Sequence, residues 1–438
     1  MIINRDSYIA KLDAKRWNGK VKIITGVRRC GKSFLLFNLY KKRLLSEGVG
    51  QDQILEIALD RKKDAVFRNP DRLYEHVIAM TKNLNRKYYV FIDEIQMSYK
   101  VRNSDIDPSS VPDEDRDLLF TTFYDILNDL LARTNLDIYV TGSNSKMLSS
   151  DIVTNFRDRG SEIKMRPLTF SEFLPVSGKD RTEAYEDYLT YGGMPLAVTE
   201  ADESEKRAYL NGLHKRLYLK DIVERHNLKD DTILDALVDS LYSSIGSLTN
   251  PHNQANTAAT ILGWKASDHT IKNYLDYLEE AYLFQKALRF DVKGRKYFGT
   301  PKKYYATDVG LRNAKLNFRQ QDRSHLMENI LFNELVFRGL SVDVGVVEIS
   351  RYADGRKETS QHEIDFIVNT GTEKVYIQST LNVDSPEKKE HETLSLRRTG
   401  DSFRKIVILD GNQKLWTDVD GISYVGVIPF LLGGSDLK

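Results

Sequence analysis

Residues 21–37 read VKIITGVRRCGKSFLLF, and this stretch decides the fold of the first part of the chain. Its first five residues are mostly β-branched and apolar, which predicts a short buried strand. The segment Gly26–Ser33 that follows matches the pattern GxxxxGKS. Apolar residues then recur at helical spacing up to a glycine: Phe34, Leu35, Phe37, Leu39, Leu44 and Gly48. A strand, this loop and a helix in that order predict a phosphate-binding loop of the Walker A type.

The loop has the chemistry to bind a nucleoside triphosphate with Mg²⁺. Its glycines let backbone N–H groups curl around phosphate oxygens, and the helix N-terminus adds a favourable dipole. We expect Lys32 to reach the β- and γ-phosphates of ATP and Ser33 to bind Mg²⁺. The predicted nucleotide-binding residues are Gly26, Val27, Arg28, Arg29, Cys30, Gly31, Lys32 and Ser33. The alternative is an ordinary glycine turn between a strand and a helix.

Two adjacent carboxylates end a second strand-like run. Tyr88–Ile92 is apolar and aromatic, and Asp93 and Glu94 follow it directly. In P-loop ATPases an Asp at a strand end holds Mg²⁺, and a carboxylate beside it can act as general base toward the attacking water. We therefore predict Asp93 and Ser33 as metal ligands, and Glu94 and Lys32 as catalytic residues. The alternative for the acidic pair is a helix N-terminus, where negative charge complements the helix dipole.

Polar residues follow a third predicted strand, Asp137–Gly142. Ser143 and Asn144 come directly after it. A polar side chain at such a strand tip can contact the γ-phosphate, so both are predicted to bind the nucleotide. The alternative is a plain turn, since Gly-Ser-Asn is typical turn chemistry.

An arginine precedes the last strand of this part of the chain. Arg159 comes shortly before the predicted strand Glu162–Met165. An arginine at that place can act across a subunit boundary on a neighbour's γ-phosphate, where it stabilises transition-state charge. This predicts a catalytic role for Arg159 and a homo-oligomer. The alternative is a solvated arginine pair on the surface.

Composition limits the class of protein. The chain has 438 residues, 41% hydrophobic and 29% charged, which is typical of a globular protein of two to four domains. Its 64 basic and 63 acidic residues give a net charge of +1, so any nucleic-acid surface must be a local patch. Cys30 stands alone, the N-terminus lacks the apolar region of a signal peptide, and no apolar run is long enough for a membrane span. We predict a cytoplasmic protein with no membrane partner.

Four segments resemble a bacterial and archaeal group of AAA+ ATPases. They read GVRRCGKS, YYVFIDEIQ, FYDILNDLLARTNLDIYVTGSNSKMLSSDI and FRDRGSEIKMRPLTFSEFL. In that group the AAA module is followed by a C-terminal domain of unknown function that resembles a winged helix joined to a PD-(D/E)xK nuclease-like fold. The resemblance implies an α/β protein: an AAA+ P-loop parallel sheet of five strands, a helical lid, a winged helix and an α/β restriction-endonuclease-like C-terminal domain. It also implies that Ser143 or Asn144 is a sensor and Arg159 a finger.

We predict four domains on this basis. They are an AAA+ ATP-binding domain at 1–175, a helical lid at 176–248, a winged helix at 249–315 and a nuclease-like domain at 316–438. Within the first, Ser98–Asp117 is polar, acid-rich and interrupted by proline, which predicts a long loop.

The lid contains a glycine pair and a proline. Gly192, Gly193 and Pro195 are similar to the GxP element of the signal-transducing STAND ATPases, whose proline packs near the nucleotide. This predicts Pro195 as a nucleotide-binding residue. The alternative is a helix–helix turn, which glycine and proline also favour.

The winged-helix pattern suggests contact with DNA. Gln254–Leu262 and Ser267–Leu278 are predicted helices around Gly263, and the wing is predicted from Leu283–Phe290 and Lys302–Ala306. The basic residues Lys293, Arg295 and Lys296 between these strands suit DNA phosphates. The alternative is a winged helix that packs within the molecule.

The nuclease-like domain departs from an active template. Glu328 and Asp365 fit two positions of the acidic trio that binds Mg²⁺, but Gln378 and Thr380 stand where a carboxylate and a lysine are expected. We therefore predict an inactive domain. The predicted function of the chain is ATP hydrolysis that drives a conformational switch, with DNA as a candidate partner. The alternatives are a nucleotide-gated DNA-binding regulator of STAND-like type and an ATP-controlled nuclease.

Overall fold

The computed structural model describes residues 2–142, 159–214, 218–229, 231–263, 267–319, 322–353 and 356–434. This part of the chain divides into two compact units. The first unit comprises Ile2–Arg166 and Glu280–Tyr282, and the second comprises Pro167–Glu279 and the residues from Leu283 onward. Each unit has its own sheet.

The first unit is an α/β layer structure. Its helices are α1 (Asp6–Ala14), α2 (Lys32–Phe34), α3 (Lys41–Ser46), α4 (Pro70–Met80) and α5 (Phe123–Leu130). Its strands are β1 (Val21–Gly26), β2 (Ile54–Ala58), β3 (Tyr88–Asp93), β4 (Val101–Arg102), β5 (Phe120–Thr121), β6 (Leu136–Thr141) and β7 (Gly160–Met165). Among the described residues, five parallel strands pair in the order β2-β3-β6-β1-β7. The predicted parallel sheet of five strands is confirmed.

The central strands are buried over their whole length. Every residue of β1, β3 and β6 is buried, as is usual for parallel strands with helices on both faces. One face packs against apolar residues of α4 and α5, including Leu73, Val77 and Leu127. The sheet is therefore packed up to the ends of these strands, and those ends carry the predicted site residues.

The helix after the phosphate loop is continuous but changes type. A π-helical turn, Leu35–Tyr40, joins α2 to α3. Leu35, Leu36 and Leu39 of this turn are buried. Their burial explains the apolar run that predicted a helix here.

The segment predicted as a long loop is a hairpin. β4 and β5 pair in antiparallel fashion, with Val101 opposite Thr121 and Arg102 opposite Phe120. Short 3-10 turns at Pro108–Ser110 and Asp113–Leu119 fill the connection. The acidic side chains at its tip are exposed, because the few apolar residues of that stretch do not form a continuous face to bury.

The first part of the second unit is helical. Its helices are α6 (Phe170–Ser177), α7 (Arg181–Tyr191), α8 (Pro195–Thr199), α9 (Glu203–Leu213), α10 (Leu219–His226), α11 (Thr232–Ser243), α12 (Pro251–Leu262) and α13 (Asp268–Glu280). Side-chain caps fix several starts, for example Thr169, Asp180 and Asp202. Gly263 ends α12 at φ +74°, a left-handed conformation that favours glycine.

The remainder of the second unit combines helices with a large sheet. Its helices are α14 (Val309–Lys315), α15 (Arg323–Phe337), α16 (Pro386–Arg397) and α17 (Val427–Leu431). Its strands are β8 (Leu248–Thr249), β9 (Phe284–Asp291), β10 (Lys296–Ala306), β11 (Ser341–Ala353), β12 (Arg356–Asn369), β13 (Lys374–Thr380), β14 (Arg404–Leu409), β15 (Trp416–Thr417) and β16 (Ser423–Gly426). In the described part of this unit the strand order is β15-β16-β14-β13-β12-β11-β9-β10-β8.

The hairpin predicted as a wing belongs to this larger sheet. β9 and β10 pair in antiparallel fashion around a bulge between Phe298 and Lys303. β9 also pairs in parallel with β11, with Gly345 opposite Phe290. The hairpin therefore continues into the sheet of the C-terminal region instead of standing as a separate wing.

Candidate functional site

Two glycines give the phosphate loop its shape. Gly26 has φ +140°, and a Cβ atom there would lie 2.0 Å from the carbonyl oxygen of Met165 on β7. Gly31 has φ +100° directly before α2. A larger residue at either position would be strained, and at position 26 it would also collide with the neighbouring strand. The two glycines of the pattern GxxxxGKS are therefore required by the local backbone.

The Lys32 side chain lies within this loop. Its ammonium donates to the carbonyl oxygens of Gly26 at 3.0 Å and Val27 at 3.1 Å. The side chain is buried, and these partners are neutral. A buried cation needs an anion to balance its charge. The residues present fit a phosphate group in the loop.

The predicted metal ligands lie together. Ser33 Oγ donates to Asp93 Oδ1 at 3.0 Å. Ser33 lies in the first turn of the helix after the loop and Asp93 ends β3, so the two meet at the carboxyl edge of the parallel sheet. A hydroxyl and a carboxylate are the oxygen ligands that Mg²⁺ prefers. The pair fits one Mg²⁺ ion between the loop and the sheet.

Thr141 completes this group, and sequence reasoning missed it. Its hydroxyl donates to Asp93 Oδ1 and accepts from the backbone N–H of Glu94 at 3.1 Å. Glu94 has φ +53°, and its carboxylate accepts from the Gln96 amide. Thr141 thus contacts the carboxylate of Asp93 and the backbone of Glu94. The signal in the sequence was its place at the end of the third strand, two residues before the predicted Ser143.

Two predicted residues cannot be compared with this geometry. Ser143 and Asn144 lie outside the described residues. Arg159 is described and exposed, and its carbonyl accepts from the backbone N–H of Val21.

Arg159 directly precedes β7, at the amino ends of the parallel strands, whereas the phosphate loop lies at their carboxyl ends. Gly160 pairs with Val21 at the start of β1, whereas Met165 pairs with Gly26, where the loop begins. Six residues of extended chain from Arg159 to Met165 span about 20 Å. Arg159 therefore does not reach the phosphate loop of its own chain.

A buried arginine of the N-terminal segment donates hydrogen bonds to the backbone of the phosphate loop and of the segment after β7. Arg5 donates to the carbonyl oxygens of Arg166 at 2.7 Å and Cys30 at 3.5 Å. Burial lowers the pKa of Arg166. No motif indicated this role for Arg5, since a single arginine near a terminus is usually solvated.

A groove of about 710 Å³ opens beside the loop. Phe34, which directly follows Ser33, lines it together with Ile2 and Ile9. Asn4, Asn38 and Ser46 add polar groups to the lining, and Lys41, Lys42 and Arg43 add positive charge. Ligand sites commonly combine apolar walls with polar groups that orient the ligand.

Pro195 belongs to the second unit, where it starts α8. The preceding glycines are packed against backbone: a Cβ atom on Gly193 would lie 2.1 Å from the carbonyl oxygen of Leu168. Asp308 Oδ2 accepts from the backbone N–H of Gly193 at 2.7 Å, and burial raises the pKa of Asp308 to about 6. The glycine pair thus has a packing reason, and nucleotide contact by Pro195 stays a prediction.

The basic turn between β9 and β10 is exposed. Lys293, Arg295 and Lys296 all face solvent. Asp291 Oδ1 accepts from the backbone N–H of Gly294 at 2.8 Å, and the Lys293 ammonium donates to the carbonyl oxygen of Glu348 on β11 at 2.9 Å. The turn is therefore ordered by contacts within the sheet while it presents positive charge.

The two acidic residues predicted for the nuclease-like domain are buried, and one of them contacts a lysine. Glu328 on α15 and Asp365 on β12 are both buried. Lys303 of β10 donates to Glu328 Oε1 at 2.9 Å. Burial raises the pKa of Glu328 to about 7. Lys303 was not foreseen, because it lies outside the motif in which a lysine was expected.

The chain was compared with known proteins. Residues 18–174 match the family model described as "AAA domain", and residues 182–322 match "Domain of unknown function (DUF8612)". An uncharacterized protein of Haemophilus influenzae is 33% identical over 98% of this chain and 99% of its own length. The chain belongs to the family of this Haemophilus protein. Its first part is an AAA domain, which agrees with the AAA+ resemblance.

Two more distant similarities were found. An uncharacterized protein of Methanocaldococcus jannaschii is 28% identical over 98% of this chain and 90% of its own length. The ORC2 protein of Aeropyrum pernix in its ADP form matches with 12% identity and a TM-score of 0.33, over 74% of this chain and 92% of that one. Among the described residues, no helix combines the length and apolar character needed to cross a membrane.

Proposed function

We propose that this protein binds ATP with Mg²⁺ and hydrolyses it to drive a conformational switch. One observation carries the proposal. Ser33, Asp93 and Thr141 share hydrogen bonds at the carboxyl edge of the parallel sheet, next to the loop that encloses Lys32. The match of this part of the chain to an AAA domain supports it.

Each of these residues has a defined task in hydrolysis. Lys32 holds the β- and γ-phosphates through its charge, and Ser33 and Asp93 hold Mg²⁺. Bound Mg²⁺ neutralises charge on the phosphate oxygens. Glu94 accepts the proton of the attacking water. Its backbone N–H donates to Thr141 and its carboxylate accepts from Gln96, and these contacts hold the residue in place. The products are ADP and phosphate.

The groove beside the loop is proposed to hold the adenine ring. The ring would lie against Phe34, whose backbone is adjacent to the Mg²⁺ ligand Ser33. Asn4 and Asn38 offer amide groups to the ring nitrogens. This subsite would select a base without contributing to the chemical step.

Arg159 is proposed to act on a neighbouring subunit. Its distance along β7 from its own phosphate loop leaves a second copy of the chain as the source of a γ-phosphate. Catalysis would then require a homo-oligomer, in which Arg159 stabilises transition-state charge in trans.

One substitution separates binding from turnover. Glu94→Gln keeps the size and polarity of the side chain but removes the base. ATP should bind with unchanged affinity, while turnover falls by about 10²–10⁴-fold. The measurements are nucleotide affinity and phosphate release. Glu75→Gln on α4, an exposed glutamate, serves as the control, and wild-type turnover by Glu94→Gln protein would contradict the assignment.

DNA is a second proposed partner, supported by the exposed basic turn at Lys293, Arg295 and Lys296. Contacts to phosphates weaken as salt increases. We therefore expect duplex DNA to raise the ATPase rate or shift the elution volume at low salt, and the effect to diminish at high salt. The substitution of the three basic residues by alanine should abolish it. A DNA effect that survives this change would locate the contact elsewhere.

A further inference from the structure

The second unit contains a buried centre built from charges of both signs. Glu328 projects from α15, while Glu363 and Asp365 share one face of β12, two residues apart. Lys303 enters from β10 and is 3% exposed. These four residues come from three separate elements of one unit.

A metal ion does not fit this centre as it stands. Gln378, at the position of a third carboxylate, accepts from the backbone N–H of Asp365 at 3.4 Å. Thr380, at the position of the lysine, donates to the carbonyl oxygen of Asn382. Within the described ranges, no set of three or more His, Cys, Asp or Glu side chains is arranged to hold a metal ion. The acidic trio of a nuclease is thus incomplete.

The lysine occupies the centre instead. Its ammonium lies 2.9 Å from Glu328 Oε1 and 2.5 Å from Glu363 Oε1. Glu328 Oε1 also accepts from the Tyr305 hydroxyl at 2.7 Å. Asp365 Oδ2 accepts from the backbone N–H and the hydroxyl of Ser379, both at 2.7 Å. One oxygen of each of the three carboxylates therefore already has a hydrogen-bond or ion-pair partner.

We propose that the Lys303 ammonium is the resident cation of this centre and stands in the place of a divalent metal ion. It binds the oxygens of Glu328 and Glu363 that a metal would need. A divalent cation at the same oxygens would lie next to a buried positive charge, which excludes it by repulsion. The centre is a structural joint between β10, α15 and β12 in which the lysine offsets part of the carboxylate charge without a metal ion.

The removal of this charge should open the centre to metal. Lys303→Met keeps the length and apolar stem of the side chain and leaves the carboxylates without their counter-ion. Buried carboxylates then need another cation. The full-length, nucleotide-free Lys303→Met protein should bind one Mn²⁺ per chain beyond wild type. A titration followed by the EPR signal of free Mn²⁺ measures this.

Two variants identify the site of any binding. Asp365→Asn in the Lys303→Met background should abolish the additional Mn²⁺ binding. Lys302→Met removes the neighbouring lysine of the same strand, whose side chain points to the opposite face, and should bind Mn²⁺ as wild type does. The proposal is wrong if folded Lys303→Met protein binds no additional Mn²⁺. It is also wrong if wild type binds Mn²⁺ in a way that depends on Asp365.

DNA cleavage distinguishes the remaining nuclease alternative. Wild type should not nick supercoiled DNA in Mg²⁺ or Mn²⁺. Mn²⁺-dependent nicking that disappears in both Asp365→Ala and Lys303→Met would mean that Lys303 acts beside a metal, and the resident-cation proposal would be overturned.

Thermal unfolding provides a second test, which applies even if Lys303→Met is too unstable for a metal titration. Lys303→Met/Glu328→Gln removes one charge of each sign, so its melting temperature should lie well above that of Lys303→Met. The wild-type melting temperature should be unchanged by EDTA. A double variant no more stable than the single one would show that Lys303 does not balance carboxylate charge.

Discussion

Thr141 shows how much a single hydroxyl can organise. It bonds to the side chain of Asp93 and to the backbone of Glu94, and so it links the proposed metal ligand to the segment that carries the proposed base. It is fully buried, where a hydrogen bond to a charged group contributes more than at the surface. We infer that Thr141 positions these carboxylates without contacting the nucleotide.

We predict that Thr141→Val lowers turnover but not ATP binding. Valine has nearly the same shape but no hydroxyl, so the hydrogen bond to Asp93 is lost. A hydrogen bond to a charged group contributes about 1.5–3 kcal/mol, so turnover should fall by roughly 10–100-fold. Phosphate release and nucleotide affinity are measured side by side. Thr81→Val, at a buried threonine away from the site, controls for the loss of a hydroxyl, and an equal effect of both changes would contradict the role.

Lys32 provides the matching test of binding. Lys32→Ala removes the ammonium group that donates to the carbonyl oxygens of Gly26 and Val27 inside the loop. The dissociation constant for ATP should rise on the order of 10²-fold, since charged hydrogen bonds to phosphate are lost. Equilibrium binding of a fluorescent ATP analogue measures it. Lys20→Ala, at an exposed lysine before β1, should bind as wild type does, and unchanged affinity in Lys32→Ala would refute the phosphate-loop assignment.

At the scale of elements, the glycine pair before α8 allows three segments of the second unit to pack closely together. The backbone N–H of Leu168 donates to the carbonyl of Gly193 at 2.7 Å, and Asp308 caps α14 while it accepts from Gly193. Three segments of the second unit meet there with no room for a side chain. A nucleotide-dependent movement of Pro195 would have to pass through this joint.

We predict that Gly193→Ala destabilises the second unit. The added Cβ atom would lie 2.1 Å from the carbonyl oxygen of Leu168, which belongs to the backbone and cannot move aside easily. Overpacking of this kind costs about 1–3 kcal/mol. Urea unfolding measures the free energy of unfolding. Gly299→Ala, where a Cβ atom would meet nothing within 4 Å, should be nearly neutral, and equal stability of the two variants would refute the packing explanation.

At the scale of the whole molecule, the proposed function requires more than one chain. The phosphate loop and Arg159 lie at opposite ends of the strands of the same sheet. A ring or a filament of copies in a head-to-tail arrangement brings such ends together, because its interfaces join two different surfaces. The oligomer is therefore part of the catalytic proposal.

We predict that two inactive variants restore activity when mixed. Arg159→Ala protein should bind ATP normally and hydrolyse it poorly, as should Glu94→Gln protein. In mixed oligomers, a subunit with intact Glu94 can receive the intact Arg159 of its neighbour, so some turnover should return. Arg72→Ala, at an exposed arginine of α4, should hydrolyse ATP as wild type does. No recovery at any ratio, with a monomeric elution volume in ATP, would contradict an action in trans.

Much of the first unit follows from the sequence by itself. Strand, loop and helix around Gly26–Ser33 are encoded by neighbouring residues, because backbone shape and apolar periodicity are local properties. The meeting of Ser33 and Asp93 was also predictable, because the carboxyl ends of parallel strands share one edge of a sheet. The hairpin β4–β5 was missed because its strands are two residues long and carry no alternating pattern.

Only the tertiary structure decided that Thr141 bonds to Asp93 and that Lys303 pairs with Glu328 and Glu363. Thr141 and Lys303 lie outside the motifs that indicated Asp93 and Glu328, and an isolated threonine or lysine has many equivalent places in a sequence. Which side chains meet depends on strand order, register and the position of a covering helix. Those features arise from pairing between distant segments, and the chain carries no local signal for them. Lys303 became visible as the cation of a buried centre only when β10, α15 and β12 were placed together.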